Sequence, residues 1–281
     1  ISMRTKKNET IVKVILTAIT LILGLCCIYP FIFMISSSFK PSGDVLSTPL
    51  QIIPKNFTLT NFETLFHNEF YDFFKWFGNT VVMTGLTLVL KFFIITITAY
   101  GFAKIKFPGR DAIFLVLLAG LMIPSDIMIM PRYIIFKQLH ILNTMWALIL
   151  PAAVDVYFVF LLRQAFVAVP DALSEAARID GCNSLQSFIK VVLPMCSGGV
   201  AVSFVFSFLF AYSDLVYSLT YINDSTKWPV TVGIYNAIGR YGTAWSQAMA
   251  FGTIVAAPVI ILFIFMQKYI VEGLTAGSVK G

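Results

Sequence analysis

Charged residues are scarce in this sequence. Aspartate, glutamate, lysine and arginine make up 12% of the 281 residues, about half of their share in an ordinary soluble domain. Hydrophobic residues make up 58%, and they form several long runs with few charges. Because about 20 apolar residues in helical form span the hydrocarbon core of a bilayer, the composition predicts an all-α integral membrane protein.

Residues that could catalyse a reaction or bind a metal are also few. The two histidines, His67 and His140, are far apart in the sequence, and neither belongs to a metal-ligand or triad pattern. No Gly-x-x-x-x-Gly-Lys-Ser/Thr loop is present to bind the phosphates of ATP. We therefore predict that the chain is not an enzyme and has no cofactor or metal site of its own. An ATP-driven activity would need another chain to bind ATP and Mg²⁺.

Six membrane spans are predicted from the apolar runs. Their ranges are 11–35, 79–103, 112–130, 143–162, 191–214 and 246–267. The first span follows Lys6 and Lys7, as in a signal peptide, but its apolar run is too long and no small-x-small cleavage site follows it. We expect this span to be retained, and we treat residues 1–281 as one transmembrane domain.

Cysteine provides no disulfide framework. Cys26, Cys27 and Cys196 fall within predicted spans, and Cys182 falls in a predicted cytoplasmic loop. An extracellular framework would need cysteines in the outer segments. We expect these four residues to act as small apolar packing residues.

The distribution of basic residues predicts the orientation, since lysine and arginine in short loops favour the cytoplasm. With both termini in the cytoplasm, twelve of the 20 lysines and arginines fall in cytoplasmic segments and seven in outer segments. The remaining one, Lys91, lies within a span. The net charge of +6 then reflects membrane topology, and no nucleic-acid partner is needed to explain it.

Two charges of opposite sign are predicted at the same depth in the membrane. Lys91 comes 12 residues after Asn79, and Asp155 comes 12 residues after Asn143. Each therefore lies about 18 Å along its helix. An isolated charge at the bilayer centre costs about 3 kcal/mol, so we predict that the two charges face the bundle interior or a wet cavity together, as a buried ion pair. The alternative is that each meets a different polar partner or water.

The loop between the fourth and fifth spans contains a predicted short helix outside the membrane. Pro170 and Asp171 are suited to a helix start, and Gly181 is suited to a helix end. Leu173, Ala176 and Ala177 would form a small apolar face able to dock into a groove on a partner. A helix that only rests on the membrane surface is the alternative, and composition alone favours neither.

The same segment resembles a known motif. Glu175, Ala176 and Ala177 are followed after three residues by Gly181 and after nine more by Val191-x-Leu193-Pro194. This spacing is similar to the EAA motif of ABC importer permeases, with Val191 where isoleucine is usual. The chain also resembles the maltose-type carbohydrate permeases at YPFIFMISSSFKPSGD, AYGFAKIKFPGR, MIPSDIMIMP, NTMWALILP and GLTAGSVKG.

The resemblance implies the rest of a transport machine. It implies a second homologous permease, two ABC ATPase subunits that carry ATP and Mg²⁺, and an extracellular solute-binding protein. The implied function is ATP-driven import of a sugar or oligosaccharide across a bacterial or archaeal plasma membrane. A permease for another small solute, such as a polyamine or glycerol phosphate, is the alternative, although the GLTAG tail favours the sugar group.

The resemblance also implies roles for particular residues. It places the coupling to the ATPase at Glu175, Ala176, Ala177, Arg178, Asp180, Gly181, Leu193 and Pro194. It implies an ATPase-contacting tail at Gly273, Leu274, Thr275, Ala276 and Gly277. Contacts with the binding protein are expected in the loop 215–245, with Tyr235, Asn236, Arg240 and Tyr241 as candidates. Where the family usually has Trp-Asn near the end of the fifth span, this chain has Tyr212 and Asp214, which are further pathway candidates beside Lys91 and Asp155.

Overall fold

The computed structural model describes residues 2–49, 51–67, 72–241 and 245–276, and within them the side chains of 12–49, 51–67, 72–238 and 245–269. All regular elements in these ranges are helices, so the predicted all-α fold is confirmed. In chain order the α-helices are α1 (Ser2–Ser38), α2 (Ser42–Ser47), α3 (Thr60–His67), α4 (Phe73–Lys104), α5 (Arg110–Gly120), α6 (Ile129–Gln138), α7 (Trp146–Ala153), α8 (Val156–Ala168), α9 (Asp171–Ile179), α10 (Ser184–Ser187), α11 (Leu193–Met195), α12 (Ser197–Tyr212), α13 (Val216–Tyr221), α14 (Val230–Tyr241) and α15 (Trp245–Ala276).

The long apolar helices correspond to the predicted spans. Four of them are long and apolar enough to cross a membrane: Val12–Ser38, Phe73–Lys104, Trp146–Ala168 and Trp245–Tyr269. Two further segments qualify only when a bent pair of helices is counted as one span. The described part of the chain therefore has between four and six spans, in agreement with a multi-pass membrane protein.

The predicted third and fifth spans are bent. Arg110–Gly120 and Ser125–Gln138 meet at an angle of 86°, and Ser184–Met195 and Ser197–Tyr212 meet at 82°. Proline lies at or beside each bend: Pro124 precedes a 3₁₀ turn, and Pro194 lies two residues before Cys196. Proline has no N–H to donate to the helix ladder, which weakens the helix near each bend. Each of the predicted spans 112–130 and 191–214 therefore coincides with a bent pair of helices.

The fourth predicted span, 143–162, is also interrupted. α7 ends at Ala153 and α8 begins at Val156, while Val154 and Asp155 have extended backbone. Pro151 lies three residues before Val154. It weakens the end of α7 because it has no N–H to donate to the carbonyl oxygen of Ala147, four residues earlier. Asp155 begins the new helix by accepting bonds from the backbone N–H groups of Tyr157 (3.0 Å) and Phe158 (3.4 Å).

Contacts within the chain divide it into two compact units, Ile1–Tyr71 with Asn236–Ala257, and Asp72–Tyr235 with Pro258–Gly281. In the first unit a buried lysine, Lys40, organises the segment that follows α1. Its ammonium group donates to the carbonyl oxygens of Thr48 (3.2 Å) and Gln51 (2.6 Å). Asn61 donates to the carbonyl oxygen of Ser38 (2.8 Å) and accepts from Ser246 (2.9 Å). These bonds satisfy buried polar groups that would otherwise destabilise the unit.

The second unit is built around α4, which contacts α7, α8 and α12. Near the C-terminal end of α4, Tyr100 and Phe102 join a buried cluster with Phe166 of α8 and with Phe188. Nearer its N-terminal end, Met83 joins a second buried cluster with residues of α7 and α13. Both clusters consist mainly of large apolar side chains, so burial of apolar surface fixes the neighbours of α4 along its length.

The loop that follows α13 is bonded to the N-terminal end of α4. Trp76 donates its indole N–H to the carbonyl oxygen of Ser225 (3.1 Å), and Asn79 donates to that of Trp228 (3.0 Å). The helix α9 lies at the other end of α4, where Lys104 donates to the carboxylate of Asp171 (2.6 Å). Trp76 and Lys104 lie close to opposite ends of α4, so the two regions are separated by about 42 Å along the helix axis.

We predict that Gly233→Ala destabilises the second unit. A Cβ at this position would lie 2.1 Å from Cε3 of Trp76, whose ring is buried and held by its indole hydrogen bond. Overpacking of this kind costs about 1–3 kcal/mol, or roughly 2–10 °C in the melting temperature of a chain this size. Thermal unfolding of the purified protein in detergent measures the effect.

Gly78→Ala is the matched control, since a Cβ at Gly78 meets nothing within 4 Å. This change should leave the melting temperature unchanged or raise it slightly, because alanine favours helix. Equal melting temperatures for the two variants would show that the Trp76–Gly233 contact is not close.

Candidate functional site

A cavity of about 640 Å³ opens within the second unit. It has contributions from α4, α6, α7, α8, α12 and α13 and from the break after α5. The residues that line it are Met83, Thr87, Lys91, Gly120, Leu121, Ile123, Ser125, Met128, Arg132, Leu148, Pro151, Ala152, Val154, Asp155, Val156, Ser207, Phe210, Ala211, Asp214 and Tyr217. Its volume lies in the range of small-molecule sites, and its wall combines apolar side chains with a few polar ones.

Two interruptions of the spans face this cavity. Leu121 and Ile123 belong to the break between α5 and α6, and Val154 and Asp155 form the break between α7 and α8; all four line the cavity. Non-helical backbone at membrane depth is tolerated only where protein buries it or where it borders a water-filled space. Because both breaks border one cavity, this cavity is the candidate functional site.

The predicted ion pair lies in the wall of the cavity. Lys91 Nζ is 2.7 Å from Asp155 Oδ2, so the predicted pairing is confirmed. Nζ also lies 4.7 Å from the centroid of the Phe158 ring, close enough for a cation–π interaction. The Lys91 side chain is 6% exposed, so without Asp155 its charge would be buried with no counter-charge.

Asp155 has a second role that the sequence did not reveal. Its other oxygen, Oδ1, accepts bonds from the first backbone N–H groups of α8, so the residue is the N-cap of that helix. A carboxylate is favoured at a helix N-terminus because it meets unpaired N–H groups and the positive end of the helix dipole. One side chain thus both begins α8 and neutralises Lys91.

A second polar group lines the cavity at Asp214, Tyr217 and Arg132. The Asp214 carboxylate accepts from the backbone N–H of Ser218 (2.9 Å) and from its hydroxyl (2.7 Å). The Tyr217 hydroxyl donates to Asp126 (3.4 Å), and the Arg132 guanidinium lies 5.9 Å from the Tyr217 ring centroid. Of these three residues, only Asp214 was predicted from the sequence as a pathway residue.

Tyr212, the other pathway candidate, is not among the residues that line the cavity. Its ring is buried and stacks on Phe208, with the ring centroids 5.2 Å apart and the planes 15° from parallel. The Tyr212 ring at the end of α12 therefore packs against its own helix. Its predicted role in a pathway has no support from this geometry.

The short helix predicted outside the spans is present as α9, and a specific turn ends it. Gly181 has φ +86°, a conformation that favours glycine. Its N–H donates to the carbonyl oxygen of Arg178 (3.0 Å), and the N–H of Cys182 donates to that of Ala177 (2.9 Å). These two bonds form a Schellman motif. The glycine in the motif Glu-Ala-Ala-x-x-x-Gly is therefore the residue that stops the helix and turns the chain.

The exposed face of α9 only partly matches the predicted apolar face. Leu173 and Ala176 are exposed, as are Glu175, Arg178 and Asp180, but Ala177 is buried and packs inward. Ile179, which the sequence analysis did not include, is 87% exposed. The apolar part of the exposed surface thus consists of Ala172, Leu173, Ala176 and Ile179. Leu193 is half-buried and Pro194 is exposed, beside the bend at Cys196.

The remaining predicted contact residues lie at the ends of α14 and α15. Tyr235 is 57% exposed and Asn236 is half-buried. Arg240 and Tyr241 have helical backbone, and their side chains lie outside the described residues. Gly273, Leu274, Thr275 and Ala276 are the last residues of α15, whose side chains are likewise not described, and Gly277 lies outside the described residues.

We predict that Asp155→Asn destabilises the protein by about 3–5 kcal/mol, because it leaves the buried Lys91 ammonium without a counter-charge. Asparagine is as good an N-cap as aspartate, so α8 should still form. Adding Lys91→Met removes the stranded charge and should restore most of the loss. The melting temperatures of the two single variants and the double variant measure the coupling between the two residues. A double variant no more stable than Asp155→Asn alone would contradict the pairing.

Comparison with known proteins shows which family the chain belongs to. The family model for the binding-protein-dependent transport system inner membrane component matches residues 92–275. The arabinooligosaccharides transport system permease protein AraQ of Halalkalibacterium halodurans is 31% identical over 278 residues, covering 98% of this chain and 99% of that protein. The polygalacturonan/rhamnogalacturonan transport system permease protein YtcP of Bacillus subtilis is 30% identical over 281 residues, covering 93% of this chain and 95% of that protein.

A solved structure shows the same fold. The crystal structure of a bacterial ABC transporter involved in the import of the acidic polysaccharide alginate matches with a TM-score of 0.83 and 19% identity, over 94% of this chain and 98% of that one. The same kind of transporter, in complex with an alginate pentasaccharide-bound periplasmic protein, matches with a TM-score of 0.65. From the family match and these relatives, the chain belongs to the binding-protein-dependent inner membrane transport components, the multi-pass permease subunits of ABC importers.

Proposed function

We propose that this chain is the permease subunit of an ATP-driven importer of an oligosaccharide. The observation that carries the proposal is the cavity at the two broken spans, which lies beside α4, the same helix that is bonded to α9 at its far end through Lys104 and Asp171. A transport subunit driven by ATP needs a space for the solute. It also needs a surface that contacts the ATPase, so that conformational changes of the ATPase reach the permease. The names of the relatives favour an oligosaccharide over the alternative solutes, a polyamine or glycerol phosphate.

The lining of the cavity is suited to a sugar. Phe210, which is 63% exposed, and Tyr217 offer aromatic faces, and Arg132, Lys91 and Asp155 offer hydrogen-bonding groups. Such a mixture of flat apolar surface and a few placed polar groups binds a small molecule with defined orientation. In this proposal Lys91, Asp155 and Asp214 border the solute pathway, with the charges of Lys91 and Asp155 neutralised by each other.

The proposed energy source lies on other subunits. Two ABC ATPase subunits bind ATP and Mg²⁺, and a second homologous permease completes the pathway. The exposed residues Leu173, Ala176 and Ile179 of α9 form an apolar surface that fits a groove on the ATPase, flanked by Glu175 and Arg178. ATP binding shifts the complex towards the outward-facing arrangement only if the closed ATPase dimer binds that arrangement more tightly. The tail at 273–277 is proposed to add a further ATPase contact.

The proposed topology places both termini and α9 in the cytoplasm. The loop that bonds to Trp76 and Asn79 then lies outside, where a solute-binding protein delivers the sugar. Tyr235, Asn236, Arg240 and Tyr241 are proposed contacts for that protein. The opposite positions of this loop and α9 along α4 support the assignment, as does the excess of basic residues in the segments that become cytoplasmic.

Purification and uptake test the proposal. The chain isolated in mild detergent should bring a second permease and two ATPase chains, and proteoliposomes holding the complex and its binding protein should accumulate a labelled oligosaccharide from a panel of arabinooligosaccharides, diacetylchitobiose and rhamnogalacturonan fragments. Uptake of spermidine or glycerol phosphate in place of every sugar would favour the alternative, and isolation of the chain without ATPase subunits would overturn the proposal.

The role of α9 is tested by Glu175→Lys. The reversed charge sits on the surface proposed to meet the ATPase, so uptake and stimulated ATP hydrolysis should fall at least about tenfold while the binding protein alone keeps its sugar affinity. Glu63→Lys is the control, since it makes the same charge change at another exposed position, in α3. If Glu175→Lys transports at the parental rate, the assignment of α9 is wrong.

A further inference from the structure

The last residue of α4, Lys104, reaches from that helix to the loop that carries α9. Its ammonium group donates to the carbonyl oxygen of Val169 (2.5 Å) and to Asp171 Oδ1 (2.6 Å). Val169 is the residue that ends α8, and Asp171 is the first residue of α9. One side chain, 7% exposed, therefore joins the end of α4, the end of α8 and the start of α9.

The electrostatics of this contact are favourable at each end. A cation is stabilised at the C-terminus of α8 and an anion at the N-terminus of α9, because each meets the opposite end of a helix dipole. The hydrogen bond from Lys104, together with its charge, lowers the pKa of Asp171 below its usual value. The carboxylate is therefore ionised at neutral pH, and both bonds from the ammonium group are charge-assisted.

Apolar packing alone holds α9 weakly. Of the residues Asp171–Ile179, all of which are described, only Ala177 is buried. The segment after α9 is better anchored, since Phe188 packs on Tyr100 (ring centroids 4.8 Å apart) and on Phe166 (6.1 Å). A single buried methyl group contributes about 1 kcal/mol. The bonds from Lys104 to Val169 and Asp171 therefore add a polar anchor at the N-terminal end of α9.

α4 connects the Lys104 contact with the wall of the cavity. Lys104 is 13 residues beyond Lys91, which places the two ammonium groups on one continuous helix about 20 Å apart along its axis. Lys91 is bonded to Asp155, the cap of α8, and Lys104 is bonded to Val169 at the other end of α8. The two lysines therefore fasten α4 and α8 together at two depths, one at the cavity and one at α9.

We propose that Lys104 is a positioning residue for transport, which fixes the first turn of α9 to α4 and α8 so that a displacement of α9 moves the wall of the cavity. The proposal rests on the proposed function, because α9 is displaced only if an ATPase acts on it. Without Lys104, α9 would move on its own, pivoting on the better-packed segment near Phe188.

A cysteine in the cavity reports this coupling. After the four native cysteines are replaced by alanine, Ala152→Cys places one thiol in the cavity wall. The complete complex in proteoliposomes is labelled with a membrane-impermeant maleimide, without nucleotide and with ATP and vanadate. The complex that keeps Lys104 should show rates of Ala152→Cys labelling that differ at least threefold between the nucleotide-free condition and the condition with ATP and vanadate. Lys104→Met should reduce this difference to less than 1.5-fold, with the yield of the complex and its basal ATP hydrolysis within twofold of the parental values.

Two further variants distinguish the contact from its charge. Lys104→Arg keeps a cation that can donate to both acceptors and should retain most of the nucleotide-dependent difference. Lys106→Met removes an exposed lysine that acts on Asp171 through its charge, and it should behave as the parental protein. Should Lys104→Met fail to assemble, Asp171→Asn, which leaves the bond to Val169, is expected to reduce the difference partially.

The outcomes separate the two proposals. A full nucleotide-dependent difference in assembled Lys104→Met, or in Asp171→Asn where Lys104→Met does not assemble, overturns the role of Lys104. An equal loss in Lys106→Met also overturns it, because charge alone would then explain the effect. A parental complex that shows no difference between nucleotide conditions contradicts the proposed function itself.

Discussion

The structure depends first on one constraint, which is that a backbone N–H or C=O group inside the hydrocarbon core must find its partner within the protein. Helices satisfy this constraint, and the described part of the chain is built from them. Wherever a helix stops at membrane depth, another group has to bind the freed backbone. At the break between α7 and α8 that group is Asp155, whose carboxylate accepts from the first N–H groups of α8.

The same constraint explains why the cavity and the breaks coincide. An interrupted span exposes backbone that lipid cannot solvate, so the interruption has to border protein or water. Leu121, Ile123, Val154 and Asp155 all line the same cavity. The cavity also accommodates the two charges that lipid would exclude, since Lys91 and Asp155 pair at 2.7 Å. Polar backbone, buried charge and open space are therefore three aspects of one site.

α4 connects this site with α9. It is a continuous helix from Phe73 to Lys104, and its polar side chains act at three levels: Trp76 and Asn79 at the loop after α13, Lys91 at the cavity and Lys104 at α9. A rigid helix transmits displacement along its axis without needing a chain of specific side-chain contacts. The proposed coupling between ATPase and cavity therefore requires only that both ends of α4 are fastened firmly to what moves.

Much of the fold could be predicted from the sequence because composition and short-range chemistry report it directly. Hydropathy located the spans, Pro170 and Gly181 bounded α9, and equal depths brought Lys91 to Asp155. The breaks could not be predicted, because residues 121–124 and 154–155 are mostly apolar and hydropathy does not distinguish a broken span from a straight one. The inward packing of Ala177 and the contact of Lys104 with Asp171 arise from tertiary packing between distant segments, which periodicity within one helix does not report.

The central claim is that the cavity at the broken spans is filled with water. Cysteine substitutions at two valines test this claim directly. Val154 lies in the cavity wall and is 61% exposed, whereas Val89 on α4 is 55% exposed and does not line the cavity. In a cysteine-free background, Val154→Cys in the membrane-embedded complex should react with a hydrophilic maleimide at least tenfold faster than Val89→Cys. Equal rates, or faster reaction of Val89→Cys, would contradict the account.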